Sequence, residues 1–459
     1  MALTLTSLFA TFCLVAAAAI SPDTIIEVDV AVLGGGASGA HAAVRLREDH
    51  GKSVIVVERQ ARLGGHVATF VDPQSGHPYN YGLNSFTEYG NAEAFFDRFN
   101  VTLMTPGRVP LTTTYADFES GEQLQGIVLP PPADTTAALR KYLALCEQYE
   151  HMILPSYEYF PGDIPEDLLL PFGDFVTGLG TGDMNEHPTL YVMQAFGAPI
   201  TRSFVGLAGS FVPASGSNQE LYDKIAALLG DDVLYSSTVA ESERTSQGVT
   251  LSVKTAGQPV TTTIRAKRLL ISFEPTLANL RGIDLDDDER EVFSKWLWST
   301  VYVGIARSPA LPVGGSLTNT PTSAVPSNWL SLPRNPFVGR FDWMGEENFR
   351  VLVTGTEETD SCDAQALVKE TFRRLADAGT VEAEEDEKME LAAWADHGPM
   401  HLWVSSGDLA GGFIRRKYAL QGRSSTFYTG AAWSAQFTTI LWEYNDKYVL
   451  PRLLASLEE

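Results

Sequence analysis

The residues best suited to chemistry in this 459-residue chain are three glycines, Gly34, Gly36 and Gly39. Their spacing suits the grip of a dinucleotide. The first glycine permits a tight turn, the second lets a pyrophosphate approach the backbone, and the third lets a helix pack closely on a strand. Gly35, Ala37 and Ser38 complete the turn, and free N–H groups at such a helix start attract phosphate. Glu58 stands 19 residues beyond Gly39. A carboxylate there accepts hydrogen bonds from ribose hydroxyls and disfavours a 2′-phosphate, so NADP is not expected. Other chemistries lack their residues. Three cysteines without a CxxC pair and eight scattered histidines spell no metal site. No Ser-His-Asp order or paired-carboxylate spacing offers a rival catalytic centre.

The stretch after Glu58 separates NAD from FAD. The segment RQARLGGHVATF opens with Arg59 and carries a second glycine pair, Gly64-Gly65, which is a feature of FAD enzymes. It resembles the flavin-containing amine oxidase superfamily. The resemblance implies that Glu58 binds the adenosine ribose, with Arg59 counted among the cofactor contacts. It implies that Arg62 to His66, including Leu63, Gly64 and Gly65, approach pyrophosphate and flavin. Gly430, with Ala431 and the helix after it, would contact ribityl and flavin. Val239 in SSTVAESE looks like the position that lays a backbone amide against adenine. The pairing of LGGHVATF with DPQSGHPYNYG is similar, more narrowly, to the β-cyclopiazonate dehydrogenase group. That group contains FAD-dependent oxidoreductases of fungal secondary metabolism, linked to oxidative ring closure on indole-tetramate and diterpenoid-pyrone scaffolds. The likeness covers the N-terminal third well, the C-terminal motif moderately and the middle hardly at all.

Three departures argue against amine oxidation itself. Thr429 precedes Gly430 where amine oxidases usually have an acid, and His66 stands where they often have Arg. WSTVYVGIA offers Thr300 and Tyr302 where they have a flavin-facing Lys. His66 and Tyr302 are therefore the expected catalytic side chains. A flavin supplies the redox chemistry and the protein supplies binding and orientation. A single GxGxxG in proper context gives no second nucleotide domain for NADPH. Hydride is expected to pass from a hydrophobic small molecule to FAD, with O2 or another acceptor as the oxidant. Tyr79, Tyr81, Asn84 and Phe86 are expected near the flavin. Trp296, Trp298, Tyr302, Trp329, Phe337, Phe341 and Trp343 could line an apolar pocket. Two alternatives stay open: a prenylcysteine-oxidase-like flavoenzyme, and a non-catalytic escort-type binding protein on the same fold.

The elements that must position these residues can be read from periodicity. Val28 to Leu33 and Ser53 to Glu58 are β-branched apolar runs suited to buried parallel strands. Ala40, Ala43, Val44 and Leu46 have helical spacing between them. Residues 233–273 read as further strands after a helix at Tyr222 to Leu229. Helices are expected over AEAFFDRF and TAALRKYLALCEQY, separated by Pro130-Pro131-Pro132, and over Asp363 to Asp377. RVLVTGT reads as a strand, and the acidic run Glu382 to Glu387 as a solvated face. The expected class is α/β: a glutathione-reductase-type FAD-binding Rossmann domain with a discontinuous, mixed α+β, amine-oxidase-like substrate domain. The first would comprise residues 21–95, 215–290 and 400–459, the second 96–214 and 291–399.

The formal net charge of −24 argues against nucleic acid and anionic membranes as partners. Leu8 to Ile20 is an apolar run of secretory leader length, too short for a comfortable membrane span. Residues 1–20 are therefore expected to be a signal peptide, with a secretory destination. Cys13 would leave with it, and Cys146 and Cys362 could then pair. On that route Asn100-Val101-Thr102 becomes a glycosylation sequon.

Overall fold

Four consecutive apolar residues, Val30 to Leu33, end the strand Thr24–Leu33 and are at most 3% exposed. Such a run is stable only with both sheet faces covered. The computed structural model, which describes residues 24–107, 109–160, 162–177, 187–329, 331–384 and 388–458, shows how they are covered. The expected leader and Cys13 lie outside the described residues.

Thr24–Leu33 is central in a parallel sheet. On one side it pairs with Val54–Val57, which pairs with Val233–Leu234. On the other it pairs with Thr262–Ile271, whose last three residues pair with Thr426–Tyr428. The first half of Thr262–Ile271 also carries an antiparallel hairpin of Gly248–Thr255 and Ser237–Thr245. Helix Ala37–Val44 covers one face: all its residues but the first are buried, and small side chains at Gly39, Ala40, Ala42 and Ala43 permit the close approach.

A second sheet has six strands in the order Glu390–Trp403, Leu297–Arg307, Asn348–Gly355, Phe337–Gly345, Gly315–Asn319, Thr112–Ala116. All its pairs are antiparallel except the last. Helix Ser361–Asp377 packs on it through Ala364, Val368, Phe372 and Leu375. The helix begins two residues before the sequence expectation, because Asp360 caps it in a reciprocal box with Asp363. Helix Pro132–Ile153 is longer than expected at both ends; Pro132 is tolerated in the first turn, where its missing N–H has no partner to lose.

Two expectations need correction. Cys146 and Cys362 are both free: the first is buried on helix Pro132–Ile153 and the second exposed on helix Ser361–Asp377. The proposed aromatic pocket is split between two cores. Trp296 and Trp298 pack with the first sheet, whereas Tyr302, Phe341 and Trp343 pack with the second. Trp329 is 37% exposed beside Tyr115. The cause is the course of strand Leu297–Arg307, whose beginning, at Trp298, packs on the first core while Tyr302 and Ala306 further along it pack in the second.

Candidate FAD site and its relatives

The glycine turn lies where the parallel strands end. Gly34 has φ +96°, and a Cβ there would sit 2.8 Å from Ser272 Oγ. A Cβ on Gly39 would sit 1.9 Å from the Gly34 carbonyl oxygen. Neither position admits a side chain unless the backbone moves. Helix Ala37–Val44 begins at Gly36 with no side-chain cap, leaving its first N–H groups free for an anion. Ser38 Oγ is buried in the same wall without a hydrogen-bond partner.

Glu58 is 4% exposed. Its carboxylate accepts from the N–H of Gly35 and of Gln60, both at 2.6 Å. The acid thus ties the end of its strand to the glycine turn. The second glycine pair meets the first. The Gly64 N–H donates to the Gly35 carbonyl at 2.9 Å, and a Cβ on Gly65 would approach Gly36 Cα at 3.0 Å. Gly64, at φ +115°, lies against Tyr222, leaving no room for a side chain. Arg62 fixes this turn through Gln219 and the Leu63 carbonyl.

The C-terminal motif closes the third side. Gly430 has φ +104°, and a Cβ would sit 3.1 Å from the Ser272 carbonyl oxygen. Asn445, fully buried, accepts from Thr429 Oγ1 at 2.6 Å and donates to the Ser38 carbonyl at 2.8 Å. Trp442 Nε1 donates to the Ala37 carbonyl at 3.1 Å. Gln194, from helix Thr189–Ala195, donates to the carbonyls of Ala431 and Ser434.

These turns line one cavity. Gly34, Gly36, Ala37, Ser38, Glu58, Arg59, Gly64, Gly65, His66, Val239, Gly430 and Ala431 all line it. Gly35, Gly39 and Leu63 stand behind the wall and shape it: Gly35 binds Glu58, Gly39 packs on Gly34, and Leu63 is core. From the Tyr79–Phe86 segment the wall takes Leu83 instead. Tyr79 and Tyr81 are buried in a third small core, Phe86 is in the first core, and Asn84 is exposed. Tyr302 is not at the wall either; its hydroxyl donates to the Thr359 carbonyl at 2.7 Å and its ring stacks on Trp394. The free N–H groups, the unpartnered Ser38 hydroxyl and the glycine-only clearances fit an elongated cofactor with a diphosphate at its middle.

His66 has a partner that sequence reasoning missed. Its ring stacks on His397, centroids 4.5 Å apart and 18° from parallel. His66 Nε2 lies 3.1 Å from the His397 carbonyl oxygen, which can only accept, so that nitrogen carries the proton. Burial pushes His66 down to about 4 and His397 down to about 2, leaving both neutral near pH 7. His397 reaches the wall because strand Glu390–Trp403 bulges there. Tyr302 pairs with Asp396 and Val301 with Gly398, so His397 is the extra residue. Gly398 supplies the φ of +65°. The Gly398-Pro399 dipeptide inside a strand was the one available signal.

The family model for NAD(P)-binding Rossmann-like domains matches residues 32–99. The chain is 33% identical to the FAD-dependent oxidoreductase dpchF of Colletotrichum higginsianum, covering 94% of each chain. It is 31% identical to β-cyclopiazonate dehydrogenase of Aspergillus flavus, covering 95% of this chain and 94% of the relative. Its fold is similar to that of cyclohexylamine oxidase from Brevibacterium oxydans (TM-score 0.61, 18% identity, 95% of this chain and 100% of that one). A flavin amine-oxidase fold and full-length likeness to named flavoenzymes agree with the cavity's glycine-lined wall. The chain belongs to the family of FAD-dependent oxidoreductases that includes β-cyclopiazonate dehydrogenase, and FAD is its cofactor.

Proposed function

We propose that this enzyme dehydrogenates a hydrophobic small molecule of fungal secondary metabolism, and that the oxidised product closes a ring. FAD in the cavity supplies a two-electron acceptor that takes hydride from carbon. The protein's part is to orient the substrate and to take the accompanying proton. The observation that carries this reading is the stacked pair of neutral imidazoles, His66 and His397, on the cofactor cavity's wall. His397 Nε2 is buried without a hydrogen-bond partner. Each ring is neutral near pH 7 and keeps one nitrogen able to take a proton; burial makes both weak bases, His66 the stronger at about 4. The balance is one hydride from a C–H bond to FAD, one proton from the internal nucleophile's own bond to hydrogen passed to imidazole, and one new bond between that nucleophile and the electron-poor carbon. The name of the Aspergillus flavus relative, a dehydrogenase of β-cyclopiazonate, supports the reaction class.

Deleting the gene and profiling metabolites tests this directly. A precursor heavier than the normal product by one H2, with one ring fewer, is expected to accumulate. An unchanged metabolite profile contradicts the proposal.

The same reading extends to a secretory destination. It is motivated by the apolar run Leu8 to Ile20 and by the exposure of Asn100 on the turn after helix Ala92–Arg98. Endoglycosidase treatment of protein from a eukaryotic host should lower its apparent mass, and Asn100→Gln should abolish that shift. An unchanged mass contradicts glycosylation at Asn100.

A further inference from the structure

Lys417, on helix Phe413–Tyr418, is a buried cation that the proposed chemistry does not use: it is 1% exposed. Its Nζ donates to the Ala432 carbonyl at 2.6 Å. It also lies 4.8 to 5.4 Å from the ring centres of Tyr157, Trp296, Tyr418 and Trp433. The aromatic faces stabilise the cation, but full burial opposes it. Lys417 is pushed down to about 7 by burial, and the negative charge of Glu274 opposes that fall.

Glu274 lies on the other side of the same turn. It follows strand Thr262–Ile271, lines the FAD cavity, and holds its Oε2 buried without a hydrogen-bond partner. Burial pushes it up to about 7, against Lys417, the Ala432 backbone and Gln436. The Ala432 peptide thus sits between two titratable groups that change charge over the same pH range. Tyr157 and Tyr418, which also face Lys417, are pushed up by burial and stay neutral there.

The charge balance of the cavity is unfavourable for an anionic ligand. Its charged wall residues are Glu58, Arg59 and Glu274, in a chain of net charge −24. The FAD diphosphate brings more negative charge.

We propose that Glu274, with Lys417 as its counter-charge, is a proton-dependent latch on the cofactor: protonated it holds FAD, and ionised it repels it. The inference rests on the reading that this cavity holds FAD. The sign follows from linkage. An incoming anion raises the proton affinity of both groups, so binding takes up a proton and affinity falls as pH rises through neutrality. Gain of one whole proton corresponds to about tenfold in dissociation constant per pH unit.

The test uses holoprotein diluted at constant ionic strength between about pH 6 and pH 8, with released FAD read by its fluorescence. The dissociation constant is expected to rise at least several-fold across that range. Glu274→Gln should hold FAD at pH 8 more tightly than the unaltered protein does and show a shallower slope with pH. Calorimetry of FAD binding near pH 7, in buffers of different ionisation enthalpy, reads proton uptake directly and needs no variant. A dissociation constant flat with pH, a slope unchanged in Glu274→Gln, or FAD retained completely at every pH overturns the latch. Protein that takes up no FAD at any pH overturns the cofactor reading instead.

Discussion

At the scale of single residues, Glu58 and the histidine pair make separable predictions. Glu58→Ala removes the acceptor for two backbone N–H groups as well as the expected ribose contact. Hydrogen bonds to a charged group are worth about 1.5–3 kcal/mol. The FAD dissociation constant should therefore rise roughly 10- to 100-fold, as read by fluorescence titration; a change below twofold would contradict its placement. His66 and His397 are depressed by burial to about 4 and about 2. Between these values and the unfolded value near 6.5, the unfolded chain binds more protons than the folded one. Stability is therefore complete above about pH 6.5 and falls by up to about 1.4 kcal/mol per pH unit per histidine on acidification. His397→Gln should flatten that fall in denaturant titrations run from about pH 6.5 to pH 4.5. A slope unchanged by the substitution would show that the imidazole is not held neutral in the fold.

At the scale of elements, the C-terminal helix ties down the glycine turn through the Asn445 amide. Asn445→Ala strips partners from the buried Thr429 hydroxyl and the Ser38 carbonyl. Unmet buried groups cost about 1–3 kcal/mol each, so a loss of roughly 2–4 kcal/mol is expected in chemical denaturation. Thr429→Val and Asn445→Ala should be coupled by about 1 kcal/mol in a double-mutant cycle, and strict additivity would contradict the contact. The hairpin carrying Val239 has its own anchor. Arg244 meets Glu289 at 2.6 Å, both side chains buried, and Tyr428 donates to the same carboxylate at 2.6 Å. Removing one member of such a pair costs about 3–5 kcal/mol, so Glu289→Leu should be among the most destabilising single changes in this sheet.

Legibility in the sequence also divides by element. The strand, glycine turn, helix and acid of residues 28–58 were readable because every determinant is local: β-branched runs, three glycines and a strand-end carboxylate. Gly64-Gly65 and Gly430 were readable because positive φ and close packing at these turns favour glycine. Asn445, Gln194, Lys417 and His397 were not, since each is an ordinary residue whose role arises from a partner distant in sequence. Asn445 meets Ser38 across 407 positions, and His66 meets His397 across 331. Tyr302 failed because its strand, Leu297–Arg307, turns its side chain into the second core and away from the cavity wall.

At the scale of the whole molecule, both sheets meet at the cofactor. The parallel sheet supplies the glycine turn and Glu58 to the cavity wall, while the mixed sheet reaches it through its bulge at His397 and through Pro399. Net charge opposes an anionic cofactor, so FAD must be held by local dipoles and glycine clearances. Occupancy should then matter to global stability. FAD at 100 times its dissociation constant should add about 2.7 kcal/mol to unfolding of the apoprotein. An unchanged melting temperature on adding FAD would contradict a cofactor bound at the centre of the fold.

In the proposed reaction, electrons pass from a hydrophobic small molecule to FAD in this cavity. The most direct measurement mixes the holoprotein anaerobically with the lipophilic metabolites that accumulate when its gene is deleted. Absorbance of the bound flavin near about 450 nm is followed. The band is expected to bleach, and the consumed metabolite to lose two hydrogens. A flavin that remains fully oxidised with every such fraction would contradict it.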